Sequence, residues 1–239
     1  GEFEQGRPLM EALRREYPRA RILLRFFSPS GYEIRKEYPL ADHVCYLPVD
    51  TRAQAEQFVE IVRPDLAVFV KYEFWLHTLA ALFRRGIPTL LVSALFRPEQ
   101  VFFRWYGKAW MEALRGFRHV FVQDDGSEAL LKNNGVLQCT VAGDTRVDRV
   151  ASLAAEDRRI PLVEAFAGGS PVLIAGSTWP PDEKLLAGLI SEGFPAEWKM
   201  LIAPHHISMN SINRLERILE VPAIRFSTAT PETAAAARV

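Results

Sequence analysis

Cysteine is almost missing. Cys45 and Cys139 are the only two among 239 residues, they lie far apart, and neither belongs to a CxxC pair or has clustered histidine partners. A disulfide framework and a cysteine-based metal centre are therefore excluded, and reduced, buried thiols of a cytosolic protein are expected. No metal site is expected. Long apolar runs are lacking as well: nothing approaches the roughly 20 residues needed to cross a bilayer, and no signal peptide opens the chain. Net charge is absent too. Lys and Arg total 29 and Asp and Glu total 29, so no global field draws the chain to nucleic acid or an anionic membrane, and any such preference has to be local. An initiator Met is also absent, and Gly1 to Pro8 run straight into a helical pattern, so preceding residues are expected.

What is present is the alternation of an α/β protein. A hydrophobic fraction of 49% with 24% charged residues suits a folded chain, long enough for two modest α/β domains. Leu9, Leu13 and Tyr17 recur every four residues, which predicts a helix over 8–17. Strands follow at 20–27, 43–47, 66–70, 88–93, 120–123 and 139–142. Helices are read at 51–62, capped by Asp50 or Thr51, at 75–85, closed by Gly86, and at 127–133. The five apolar residues Leu66 to Val70, without alternation, predict a strand buried on both faces. The longest helical pattern, 98–117, carries Phe102, Phe103, Trp105, Tyr106 and Trp110 among Arg97, Arg104, Lys108 and Arg115. It suits either a membrane interface or an aromatic core.

Composition shifts after Asp148. An Ala- and charge-rich helix at 151–167 ends in Gly168-Gly169-Ser170, a linker and hinge. A second βαβ series has strands at 171–175, 200–203 and 223–226 and helices at 182–190 and 207–219. Residues 231–239 stop without a terminal element. The reading is thus domain 1–150, linker 151–169 and a partial domain 170–239.

Ligands of open α/β sheets sit beyond the carboxyl ends of the strands. Lys71, Tyr72 and Glu73 fall there, as do Arg146 in Gly143 to Arg149, Ser177 and Thr178 in Gly176 to Glu183, and His205 and His206. Each has a plainer reading. Lys71 and Glu73 suit a solvated turn, Arg146 suits a surface salt bridge with Asp144 or Asp148, and Ser177 and Thr178 suit helix caps. A helix following a buried strand also offers free N–H groups and a dipole to a phosphate.

The segments Gly1-Glu2, Phe27-Ser28-Pro29-Ser30-Gly31, Tyr46-Leu47-Pro48-Val49-Asp50, Pro64 to Trp75, Val141 to Asp148 and Ala175 to Glu183 resemble, in order and spacing, the 3-deoxy-D-manno-octulosonic acid (Kdo) transferases. The resemblance covers nearly the whole chain. It implies a GT-B fold: two Rossmann-like doubly wound domains with parallel sheets, the second truncated here. It implies inverting transfer of Kdo from CMP-Kdo to a lipid A precursor, lipid IVA, at the cytoplasmic face of the inner membrane, with no cofactor and no nucleic acid. The family's catalytic base maps onto Glu2. Gly1, Ser30, Glu73 and Arg146 map onto the acceptor side, and Ser177, Thr178, His205 and His206 onto the donor side. The family's Pro-Arg-His appears as Pro204-His205-His206, so an imidazole stands where a permanent guanidinium is expected. The family's anchor helix, first strand and Asn-x-x-Glu motif are not in this sequence. Two other readings are a GT-B enzyme with a different nucleotide sugar and a non-catalytic bilobal module that closes on an anion.

Overall fold

The computed structural model describes every residue except 1, 72, 157 and 158. The chain divides into two compact units, Gly1–Glu156 and Asp157–Val239.

In the first unit, helices and strands alternate as α1 (Glu2–Glu16), β1 (Leu23–Phe26), α2 (Pro29–Arg35), β2 (His43–Tyr46), α3 (Arg52–Val62), β3 (Ala67–Val70), α4 (Leu76–Arg84), β4 (Thr89–Ala94), α5 (Lys108–Gly116), β5 (His119–Val122), α6 (Asp125–Asn133), β6 (Cys139–Val141) and α7 (Thr145–Ala155). Every ladder is parallel. β3-β4-β5-β6 form one sheet in chain order, and β1-β2 form a separate pair. Where β1 approaches β3, the link is a side chain: Arg25 lies 4.9 Å over the Phe58 ring and 5.9 Å from the Phe69 ring. Burial pulls the Arg25 pKa down, and the charges of Glu73 and Asp50 act the other way.

The sequence predicts Leu66 to Val70 as the strand buried on both faces; the structure gives that place to β4. Five of the six β4 residues are buried, whereas β3 buries only Phe69, and Leu66 is exposed and outside the strand. β3 has a ladder partner on one side only, so its other edge lacks the cover that a central strand receives. The core is centred on Leu79, Leu91, Leu114, Phe117, Val120 and Val122. Phe74 meets Phe117 edge-on, the geometry that the ring quadrupole favours, and Phe102 at a tilt of 58°.

The long helix expected over 98–117 is two pieces. A 3-10 turn at Val101–Phe103 precedes α5, with Gly107 between them. Phe102 points into the core, while Trp105 is 93% exposed and Tyr106 60% exposed. A continuous helix is broken because the backbone at Gly107 folds against the Val101 carbonyl, closer than any side chain permits. α1 also begins earlier than its spacing predicts. It runs through Pro8, which removes one helical hydrogen bond, and its first turn is held by tertiary contacts at Gln5, which is buried, and Gly6, which sits against Val70.

The second unit contains α8 (Pro161–Ala167), β7 (Val172–Thr178), α9 (Pro180–Glu192), β8 (Lys199–Pro204), α10 (Met209–Leu219) and α11 (Pro231–Ala236). β7 and β8 pair in parallel over a core of Ile190, Phe194, Met200, Leu215 and Leu219. The helix expected over 151–167 is divided between α7 and α8. The strand expected at 223–226 is not formed: Ile224 N–H bonds the carbonyl of Val239, and the Arg225 guanidinium is turned onto Glu216 and Asn213. The expectation of no terminal element also fails. Thr230 caps α11 by accepting from the Thr233 N–H, and the following residues return so that Arg238 accepts from the Met200 N–H.

Candidate active site

Polar residues gather at the carboxyl ends of the strands in each unit. Three residues there hold left-handed backbone without being glycine: Lys71 after β3 (φ 58°), Ser93 in β4 (φ 51°) and Ser177 in β7 (φ 58°). Such conformations cost about 1 kcal/mol or more and cluster where geometry serves a purpose. At Ser93 and Ser177 the register of the ladder also shifts, which turns the side chain away from the strand's regular alternation.

Glu2 opens α1 and is exposed. Its charge raises the Arg146 pKa, after the larger contribution of the Asp144 hydrogen bond, so the two side chains lie within electrostatic reach of each other. Arg146 itself is bound to Asp144: Nε donates to Oδ2 at 2.9 Å and Nη2 to the same oxygen at 2.5 Å. The other oxygen, Oδ1, accepts from the Arg146 N–H at 3.0 Å and from Gln5 Nε2 at 3.1 Å. The surface salt bridge that the sequence allows for Arg146 is thus present, with Asp144, and it caps α7 at the same time.

Four donors hold the Asp144 carboxyl at a pKa of about 2, the Arg146 side chain first among them. A carboxylate depressed in the folded state stabilises the fold above its unfolded pKa, and that stabilisation is lost as pH falls through the folded value. Asp144→Asn keeps an acceptor for the cap and removes the charge. It should cost about 1–2 kcal/mol near neutrality, discounted for a half-exposed Arg146, with the difference from wild type vanishing between pH 3.8 and about 2. Urea denaturation of both proteins at pH 7 and pH 2 measures it; an equal difference at both pH values contradicts the assignment.

Phe27, just before the Ser28–Gly31 segment, and Trp75, just after Glu73, meet at a second corner. Phe27 contacts Trp75 at 4.8 Å between ring centroids, and Trp75 Nε1 donates to Glu73 Oε2 at 2.5 Å. Ser30 is exposed, its hydroxyl 2.6 Å from that of Ser28. Asp50 sets this corner from below. Its Oδ1 accepts from the Thr78 N–H (2.9 Å) and hydroxyl (2.7 Å), and Oδ2 from the His77 N–H (3.0 Å). It therefore caps α4, whose own N-cap residue, Trp75, lends no side-chain acceptor. α3 is capped by Thr51 alone. Gly1, also expected here, lies outside the described residues, as does Tyr72.

In the second unit, Ser177 Oγ is 2.8 Å from His205 Nδ1, and His205 stacks on Trp179 at 4.4 Å and 22°. His206 meets the same indole edge-on at 5.1 Å. Thr178 is buried and its hydroxyl has no partner. Below the loop, buried Glu183 accepts from Arg214 Nη2 at 2.9 Å, which ties α9 to α10. Ser177, Thr178, His205 and His206 are thus brought together, and Trp179, which the sequence reading passed over, is the ring that joins them. Gln5, Ser93 and Thr145 carry no motif in the sequence; the only signal is that Gln5 follows Glu2 by three positions, the spacing of one helix face.

Residues 1–149 match the family described as 3-deoxy-D-manno-octulosonic-acid transferase (kdotransferase). The chain belongs to the Kdo transferase family. It is 32% identical over 96 residues to the 3-deoxy-D-manno-octulosonic acid transferase of Haemophilus influenzae, covering 39% of this chain and 22% of that one. It is 23% identical over 235 residues to that of Chlamydia trachomatis serovar D, covering 95% and 53%. The chain spans about half the length of the latter relative. Among solved structures, UDP-GlcNAc 2-epimerase from Neisseria meningitidis matches with a TM-score of 0.63 at 12% identity, over 91% of this chain and 66% of that one. UDP-N-acetylglucosamine 2-epimerase from Rickettsia bellii matches at 0.54 and 14%, over 95% and 67%. These likenesses show the fold, which is GT-B-like and α/β with parallel sheets.

Proposed function

We propose that the complete protein of this Kdo-transferase-family chain is an inverting glycosyltransferase that moves Kdo from CMP-Kdo to a lipid A precursor, lipid IVA. The observation that carries the proposal is an exposed Glu2 at the start of α1, in the family-matched segment, whose helix is bonded through Gln5 to Asp144 and Thr145 at the start of α7, beside Arg146. In this reading the Glu2 carboxylate takes the proton of an acceptor hydroxyl as that oxygen bonds the anomeric carbon. The bond from that carbon to the CMP phosphate breaks, and CMP leaves with the electron pair. Arg146 and Glu73 belong to the acceptor side. Ser177, Thr178, His205 and His206 take the donor, with the Ser177 hydroxyl and the His205 imidazole directed to its single phosphate; α9 opens on Pro180 and Pro181, which have no N–H to give. The Trp179 stack and the Ser177 bond hold His205 in place, which supports an ordered imidazole where the family resemblance expects arginine.

The acceptor is a lipid, and we propose contact with the cytoplasmic face of the bacterial inner membrane. Exposed Trp105 and Tyr106, with Arg97, Arg104 and Lys108 around them, supply an aromatic and cationic surface of the kind that seats at anionic headgroups.

The test is turnover by the complete protein with CMP-Kdo and lipid IVA, beside protection from proteolysis by CMP and by UDP. Product and selective CMP protection are expected. UDP protection without CMP protection moves the assignment to another nucleotide sugar, and binding without product under any pairing leaves a non-catalytic module. Co-sedimentation with anionic vesicles should weaken in Trp105→Ala; unchanged binding removes the membrane contact from this surface.

A further inference from the structure

The hydrogen bonds beneath Arg146 have an order that geometry determines. The Gln5 carbonyl only accepts, so the Thr145 hydroxyl, 2.7 Å away, donates to it. Thr145 Oγ1 must then accept from the Ser93 hydroxyl at 2.9 Å, and Ser93 Oγ accepts in turn from the Thr145 N–H at 3.4 Å. The Ser93 carbonyl is fixed by Gln123 Nε2 at 2.8 Å. The first turn of α1 is therefore pinned to the first turn of α7 at two points, the Gln5 carbonyl on Thr145 and the Gln5 amide on Asp144. Gln5 is 1% exposed, and its Oε1 has no partner. A buried amide with one unsatisfied oxygen is costly, and what it supplies in return is the orientation of Asp144.

That orientation has a consequence for Glu2. Arg146 lies near enough to attract Glu2, yet both of its guanidinium hydrogen bonds end on Asp144, and Glu2 has no ion pair among the described residues. We propose that Gln5 is a positioning residue: by holding Asp144 it keeps the Arg146 charge committed there and leaves the Glu2 carboxylate free to accept a proton. This rests on the reading of Glu2 as the base. The other charges at this end of the sheet are Lys71 and Glu73 behind β3, against which α1 packs at Gly6. On α1 itself, Glu4 is engaged by Arg35 and Arg7.

The experiment uses Gln5→Leu, with Asp144→Asn as the second variant because it keeps the cap and leaves the buried Gln5 side chain in place. In the present chain, side-chain NMR follows the Asp144 carboxyl titration and the exchange of the Arg146 Nε proton. In Gln5→Leu the Asp144 midpoint should rise from about 2 toward the ordinary 3.8, and Arg146 Nε–H exchange should speed on the order of tenfold. In Asp144→Asn the exchange should speed at least as much. In the complete protein both variants should lower kcat about tenfold with donor KM within about twofold, because the residues assigned to the donor are untouched. A merely structural Gln5 lowers the melting temperature and moves neither NMR signal, which overturns the proposal. If both signals move while Glu2→Gln retains turnover, the base assignment fails and the link from Gln5 to Arg146 stands. If Glu2→Gln abolishes turnover while neither signal moves, the link fails and the base assignment stands.

Discussion

Glu2→Gln in the complete protein should lower the rate of transfer by about 10²–10⁴-fold, the range that a positioned general base supplies, while the fold is kept. The side chain is exposed and its charge acts on Arg146 across solvent, so circular dichroism and melting temperature should match wild type within about 0.5 kcal/mol. Glutamine has the same shape and no basic carboxylate, so the loss should fall on kcat, with donor KM little changed. Single-turnover measurement at saturating donor isolates that step. A rate within tenfold of wild type removes Glu2 from the chemistry and, with it, the assignment of the α1–α7 corner as the acceptor side.

Gly107→Ala should have the largest effect on stability, roughly 3 kcal/mol, or about 6–12 °C for a unit of this size. Gly107 has an ordinary φ of −86°, so the cost is one of space and not of backbone conformation. A Cβ there would meet the Val101 carbonyl oxygen at 1.7 Å and its carbon at 2.8 Å. Those atoms belong to the 3-10 turn, which cannot retreat without moving Phe102 out of its contacts with Phe74 (4.6 Å) and Phe96 (5.4 Å). Gly188→Ala provides the opposite sign. It lies within α9 with nothing within 4 Å of the added carbon, and it should stabilise its unit by up to about 1 kcal/mol. Calorimetry on the two variants decides the matter; a Gly107→Ala protein that melts with wild type would mean that the turn yields freely.

Strands were legible wherever an apolar run lay between turn residues, as at Thr89–Ala94 and Cys139–Val141. Burial was less legible. Leu66 to Val70 looks more central than the run beginning at Thr89, yet which strand receives neighbours on both sides depends on ladders that a run of apolar residues does not encode. The aromatic spacing from Phe102 to Leu114 is helical on paper, but a backbone contact at one glycine outweighs it. Ile224 carries a strand's side chain and pairs instead with the last residue of the chain. Glu2, Glu73, Arg146 and His205 stand out in the sequence through motif order, as expectations that the transfer assay decides. Gln5, Ser93 and Thr145 do not, because their positions follow from a backbone turned left-handed at Ser93 and from a helix running through Pro8. Of the two caps the sequence allows for α3, Thr51 is the one used, and Asp50 serves α4 instead, because its neighbour in sequence is α3 and its neighbour in space is α4.

The left-handed residues at 71, 93 and 177 bear on how this protein would respond to laboratory evolution for heat resistance. Glycine adopts those angles without a steric penalty, so a screen that rewards only survival at high temperature is drawn toward Gly at these positions. Each such gain would erase a side chain held at a strand end, including the Ser177 hydroxyl that meets His205 and the Ser93 hydroxyl that meets Thr145. Robustness and the capacity to orient a ligand would thus be selected in opposite directions at the same three codons.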